Sequence, residues 1–144
     1  MTDQLPTQRD VVESLFAAVA RGDTAAAGEC YAEDAVVRMA GVPRHLGGVV
    51  EGREAITVDI AQRPTSTLEV RHVFADGDNV CAVVKRSGPL AATQMFRGSA
   101  GEFTTYECVV FTLDERRVKE QTTYVNWLDA YVQAGLIDLA PLID

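Results

Sequence analysis

The tetrapeptide Asp76-Gly77-Asp78-Asn79 constrains this chain's fold more than any other feature. It separates two runs rich in β-branched and aromatic residues, Leu68 to Ala75 and Val80 to Ser87. Gly accepts positive φ without steric cost, and Asp and Asn tolerate it, so this tetrapeptide closes a tight hairpin. The two flanking runs therefore pair antiparallel.

The same punctuation continues downstream. Gly88-Pro89 predicts a break after the second strand. A strand near Ala92 to Gly98 and another over Phe103 to Leu113 surround the turn Gly98-Ser99-Ala100-Gly101. Asp114-Glu115-Arg116 makes the next turn, and Val118 to Asn126 is the last long strand. Trp127 to Leu136 reads as a short helix or hook. Upstream the period changes. Val11, Val12, Leu15, Phe16 and Val19 recur at helical spacing, so Thr7 caps a first helix through Arg21, and Gly22 stops it. Asp23 caps a second helix over Ala25 to Tyr31, and a strand spans Ala35 to Ala40. Pro43, Gly47, Gly48 and Gly52 mark a loop around the extended Val49-Val50, and a third helix covers Glu54 to Gln62 before Pro64. Three helices followed by an antiparallel meander is an α+β plan: a curved antiparallel sheet wrapped over three N-terminal helices and enclosing one cavity. At 144 residues it reads as a single domain over 1–144.

Charge and cysteine usage exclude several function classes. With 13 basic against 21 acidic residues the net charge is −8, so a phosphate polyanion would be repelled. Lys85-Arg86 and Arg116-Arg117 are short pairs beside turns, not a basic stripe, and no nucleic-acid partner is expected. Cys30, Cys81 and Cys108 form no C-x-x-C pair, and no His/Cys/Asp/Glu set has metal-ligand spacing. Free cysteines in apolar strands behave as small hydrophobes and fit a reducing compartment. No basic-then-apolar leader and no apolar run of about 18 residues is present, so a cytoplasmic protein with no membrane partner is expected.

The order and punctuation resemble the nuclear-transport-factor-2-like superfamily, and within it the SnoaL-like and ketosteroid-isomerase-like small enzymes. The residues that carry the resemblance are Ala20-Arg21-Gly22-Asp23, Tyr31-Ala32-Glu33-Asp34-Ala35 and the run Gly47 to Ile56. The strand pair Tyr106 to Phe111 and Val118 to Glu120 continues it, through Tyr124-Val125-Asn126 to Gln133-Ala134-Gly135-Leu136. It implies a cone-shaped α+β barrel, a deep apolar pocket, homodimers through the outer sheet face, and no metal or other cofactor.

A shared fold hosts many reactions, so the site residues decide. Where a ketosteroid-isomerase-like site places a carboxylate base, a Tyr and a protonated Asp, this chain has Met39, Leu15 and Cys108. Where a limonene-epoxide-hydrolase-like site places two acids and an Arg, with a Tyr and an Asn holding water, it has Lys85, Ser87 and Thr123, with Val37 and Met39. The acid/base Asp of SnoaL-like cyclases falls at Asn126, which can orient a substrate but cannot cycle a proton at neutral pH.

Alternation from these matched positions turns Met39, Val83, Lys85, Tyr106, Cys108, Val110, Gln121 and Thr123 toward the cavity. Candidate catalytic residues are then Asn126, Tyr106, His45 at the cavity mouth, and Asp129, three residues beyond Asn126. Each has a plainer structural reading. Asn126 can cap the tail helix, Asp129 can favour its dipole, His45 can be a solvated loop residue, and Tyr106 can bond to backbone. His72 shares an alternating face with Leu68, Val70 and Phe74, as a core or interface histidine would. Trp127 and Tyr131 pack the tail against the cone mouth. Candidate substrate-binding residues are Met39, Val83, Lys85, Cys108, Val110, Thr123 and Trp127.

Two functions of different class follow. One is a cofactor-independent enzyme that isomerises, cyclises or dehydrates a hydrophobic oxygenated intermediate of polyketide or terpenoid type, or an epoxide-hydrolase-like enzyme with a rearranged site. The other is a non-catalytic ligand-binding or dimerisation module, which the missing carboxylates favour. A titratable group held by polar partners inside the cavity distinguishes the first from the second.

Overall fold

A computed structural model describes residues 4–62, 66–89 and 101–143. Helix α1 (Gln8–Ala20) begins at Thr7, as its sequence predicts. The Thr7 hydroxyl accepts from the Asp10 amide at 3.1 Å, and the Asp10 carboxylate accepts from the Thr7 amide at 2.8 Å. This reciprocal pair satisfies two amides that the helix leaves unpaired, a contribution of about 1 kcal/mol. Asp23 caps α2 (Thr24–Glu29) with a single bond, its Oδ1 accepting from the Ala26 amide at 3.0 Å. Strand β1 (Tyr31–Met39) follows, then a 3-10 turn (Arg44–Leu46), β2 (Val49–Glu51) and α3 (Arg53–Gln62). The second half contains β3 (Thr67–Asp76), β4 (Asn79–Pro89), β5 (Glu102–Asp114) and β6 (Arg117–Val125). Helices α4 (Trp127–Gln133) and α5 (Ala140–Ile143) end it. Among the described residues the sheet order is β2-β1-β6-β5-β4-β3. The architecture is α+β with a curved sheet, in agreement with the sequence reading.

The hairpin closes at Asp76 and Asn79, with Gly77 at φ +58°. Two strand boundaries and one pairing direction differ from expectation because distant partners decide them. Strand β4 runs through Gly88-Pro89, since these pair with Phe103 and Glu102. Pro89 is the last described residue of the strand. Strand β1 starts at Tyr31, four residues before Ala35, because Tyr31 pairs with Val118. That β1–β6 pairing is parallel, so the sheet is not a pure antiparallel meander. The strand expected near Ala92 to Gly98 lies outside the described residues. The β5–β6 turn places Glu115 and Arg116 at φ +47° and +61°, a tight connection made without Gly or Asn.

The main core lies between the inner face of the sheet and the three N-terminal helices. Val12, Leu15, Ala27 and Ile56 from the helices meet Val80, Val84, Phe111, Leu113 and Val118 from the strands. Phe16 meets Phe111 edge to face at 5.8 Å between ring centroids. A second, smaller cluster sits at the other end of β5, where Ala130 of α4 covers Phe103 with Trp127, Tyr131 and Ala134 around it.

Candidate active site

Strand β5 is where sequence and structure part. Phe103, Thr105, Glu107, Val109, Phe111 and Leu113 are buried, and the alternate residues between them are not. Directly opposed residues share a face. Register therefore puts Val80, Ala82, Val84 and Arg86 of β4 on the inner side, against Phe111, Val109, Glu107 and Thr105. Five of the expected cavity residues consequently lie on the outer face: Val83, Lys85, Tyr106, Cys108 and Val110. Tyr106 is 57% exposed. The matched positions were one residue out of step on β4 and β5, and the period of 2 turns a one-residue slip into the opposite face.

On β1 and β6 the alternation holds. Met39 pairs with Thr123, and Thr123 pairs with buried Val109, so both face inward. Gln121 is also inward and accepts from the Tyr31 hydroxyl at 2.6 Å. A bulge between Thr112 and Leu113 allows Val118 and Gln121, three apart, to share this face. A second bulge at Arg71 splits the expected β3 face. Leu68 and Val70 oppose inner Arg86 and Val84, whereas His72 and Phe74 oppose outer Val83 and Cys81. His72 is exposed there and stacks on Phe74 at 6.0 Å between centroids.

The remaining candidates, Asn126, Asp129 and His45, are exposed. Asn126 caps α4, its Oδ1 accepting from the Asp129 amide at 3.1 Å. The Asp129 carboxylate accepts from Gln133 Nε2 at 2.9 Å, one helical turn on. His45 is exposed in the 3-10 turn Arg44–Leu46. Trp127 does close the tail onto the mouth, its indole Nε1 donating to the Ala40 carbonyl at 2.6 Å. Gly41 permits this contact. Its φ is +84°, and a Cβ there would stand 2.7 Å from Trp127 Cδ1.

A polar layer lies between the two apolar clusters. Along the inner face of β5, Phe103 belongs to the small cluster and Val109 onward to the main core. Thr105 and Glu107 fall between them, 2% and 5% exposed. Arg86 Nε donates to Glu107 Oε1 at 3.0 Å, and Arg86 Nη1 donates to Ser66 Oγ at 3.1 Å. Among the described residues, Glu107 Oε2 and Thr105 Oγ1 are enclosed without a hydrogen-bond partner, as is Gln8 Oε1 at the start of α1. Thr123, also buried, lies diagonally across from Glu107, because Glu107 pairs with Val125. A guanidinium thus fixes one carboxylate oxygen and leaves the other available to a proton donor inside an apolar enclosure. Among the described residues, no three His, Cys, Asp or Glu side chains converge as a metal would need.

Sequence reasoning missed Glu107, although its signal was present. Val109, Phe111 and Leu113 are the most apolar alternating set in β5, and Glu107 shares their parity. On the outer face the Cys81 and Cys108 sulfurs lie 3.2 Å apart. Burial first, and the neighbouring Cys108 second, push the Cys81 thiol up to about 11, so it stays protonated at neutral pH.

Comparison with known proteins places this geometry. Residues 12–121 match the family described as the SnoaL-like domain. No curated protein matches the chain. Among solved structures, an NTF2-like protein from Burkholderia thailandensis is 21% identical, with TM-score 0.75, covering 91% of this chain and 98% of that one. An LEH-like epoxide hydrolase from M. tuberculosis is 17% identical, with TM-score 0.71 and 88% of each chain covered. A protein with a ketosteroid isomerase-like fold from Catenulispora acidiphila, in complex with trimethylamine, is 18% identical, with TM-score 0.71 and coverage of 91% and 96%. At these identities the likeness is one of fold.

Proposed function

The chain belongs to the SnoaL-like domain family, and from that premise we propose that it is a small-molecule enzyme whose proton-transfer group is Glu107. The observation that carries this reading is the enclosed, unpartnered Glu107 Oε2. A buried polar atom without a partner costs about 1–3 kcal/mol, a cost that a donor brought by a bound ligand would relieve. A bound substrate bearing an acidic C–H or O–H would supply the missing donor. Glu107 would take that proton and return it elsewhere on the substrate. Arg86 holds the carboxylate in place, and the Thr105 hydroxyl lies beside it to meet developing charge on a substrate oxygen. This is the chemistry of isomerisation, cyclisation or dehydration of a hydrophobic oxygenated molecule, of polyketide or terpenoid type. The apolar clusters on either side of the polar layer favour such a substrate over a polyanion.

A thermal-shift panel of apolar carbonyl and hydroxyl compounds tests the site without knowledge of the substrate. A ligand that binds only the folded chain raises its apparent stability. The expected hits lose most of their shift in Glu107→Gln. Hits that shift both proteins equally would move the site away from Glu107.

The outer sheet face supports a second part of the reading, that the protein is a homodimer. Phe74, Tyr106 and Tyr124 are exposed there beside Val83 and Val110, an apolar surface of the kind that self-association covers. Light scattering is expected to return twice the 15.6 kDa chain mass, and a monomer at micromolar concentration rejects it.

A further inference from the structure

We propose that Cys81 and Cys108 form a dithiol site on the outer face of the sheet, which a small-molecule disulfide such as oxidised glutathione closes to a disulfide that braces β4 against β5. This goes beyond the Glu107 reading and does not depend on it. The three cysteines are free thiols. Cys81 and Cys108 are 27 residues apart in sequence, and strand pairing brings them together. Cys81 stands opposite Val110 and Cys108 opposite Val83, so the two are diagonal neighbours on one face. Diagonal neighbours on a strand pair lie about 7–8 Å apart at Cα, beyond the usual reach of a disulfide. Sheet twist shortens one of the two diagonals. Here the Sγ atoms lie 3.2 Å apart. A disulfide needs about 2 Å, so the sulfurs have about 1 Å left to close. Phe74 on β3 stands opposite Cys81, and Tyr124 on β6 stands opposite Cys108, so the pair is flanked on both sides. Both cysteines are nevertheless only half-buried.

The chemistry is two successive exchanges. One cysteine sulfur attacks a sulfur of oxidised glutathione, releasing one glutathione thiol and leaving a mixed disulfide. The second cysteine sulfur attacks the protein sulfur of that mixed disulfide. The Cys81–Cys108 bond forms and the second glutathione leaves as a thiol. The protons given up by the two cysteines end on the two glutathione thiols, and the two electrons reduce the glutathione disulfide. Geometry favours the second step. A sulfur already in contact acts at an effective concentration far above that of millimolar glutathione competing with it. Cys30 supplies the contrast. It caps the end of α2, its Sγ donating to the Ala26 carbonyl at 3.5 Å, while the other two sulfurs contact each other. The closed bridge would tie together the strands that bring Arg86 to Glu107. Closing a loop of this length restricts the unfolded chain and so favours the folded one.

Equilibration of the full chain with about 1 mM oxidised glutathione at about pH 8.5 tests the site. The alkaline condition matters because the Cys81 thiol, pushed up to about 11 chiefly by burial, exchanges slowly at neutral pH. Equilibration to constant composition makes the result independent of how fast the pair is reached, including beneath a second copy on this face. Intact mass should fall by two hydrogens, and peptide mapping should join Cys81 to Cys108. That bridge should be at least about tenfold more abundant than glutathione adducts on either cysteine. Dithiothreitol should restore both thiols. Cys30→Ser should leave the bridge unchanged, and Cys81→Ser should abolish it. The bridged chain should unfold in urea at a midpoint about 1 M above that of the reduced chain. Separate glutathione adducts on Cys81 and Cys108, a bond between two chains, or a pair still reduced at equilibrium each overturn the site. A midpoint that does not rise on bridging overturns the brace.

Discussion

Arg86→Leu is expected to destabilise the protein by about 3 kcal/mol, among the largest single-residue effects available in the described structure. The cause is not the loss of an attraction alone. Glu107 is almost fully enclosed, and Arg86 is its only charged partner among the described residues. Removing the guanidinium leaves a carboxylate between two apolar clusters with both oxygens unpaired among the described residues, and also removes the donor to Ser66 Oγ. Breaking a buried pair from one side typically costs about 3–5 kcal/mol. The lower end applies here because the Arg86 side chain keeps 23% of its surface in solvent. The double variant Arg86→Leu/Glu107→Leu separates the causes. It removes both charges, and pairs replaced by apolar residues of similar volume are often neutral in stability. Urea unfolding of the two single variants and the double should therefore show strong coupling, with the double more stable than Arg86→Leu. An Arg86→Leu cost below about 1 kcal/mol, the range of a solvent-screened pair, would mean that the layer is wetter than the enclosure of Glu107 implies.

The same pair shows where sequence reading succeeds and where it stops. Local signals were legible: the Thr7 and Asp23 caps, the turn at Gly77 and the tail cap at Asn126 all depend on residues within four positions of one another. Which side of a strand faces in depends on partners far along the chain. Arg86 and Glu107 meet only because β4 and β5 pair in one register, 21 residues apart in sequence. Alternation on β5 gives two interleaved sets of mixed polarity, so a shift of one residue exchanged Tyr106 and Cys108 for Thr105 and Glu107. Bulges at Arg71 and before Leu113 then broke the simple period on β3 and between β5 and β6. A carboxylate among Val109, Phe111 and Leu113 looks like an error in the inward assignment until its counter-ion is found on the next strand. The residue that local reasoning least favours for burial is thus the one to which the proposed proton transfer is assigned.

Glu107→Gln should lower turnover by about 10²- to 10⁴-fold on whichever apolar substrate the screen identifies, the usual range for losing a general acid or base. The amide is nearly isosteric, and its oxygen can still accept from Arg86 Nε, so the fold is expected to persist. The loss should fall on kcat more than on KM, because an amide still fills the site and bonds to the ligand but cannot take a proton. Glu107→Asp, which withdraws the carboxylate by one methylene, should retain part of the rate. A binding module would show no such ordering of Glu, Asp and Gln. Tyr106→Phe and Asn126→Ala supply the contrast. Tyr106 points away from the cone and Asn126 caps α4 at its rim, so neither hydroxyl nor amide can reach a proton held by Glu107. Turnover in Tyr106→Phe should match wild type, and Asn126→Ala should act through α4 stability rather than through the chemical step. If instead Tyr106→Phe abolished turnover and Glu107→Gln spared it, the reacting groups would lie on the outer face, and the enclosed carboxylate would be a structural ion pair with one oxygen left unused.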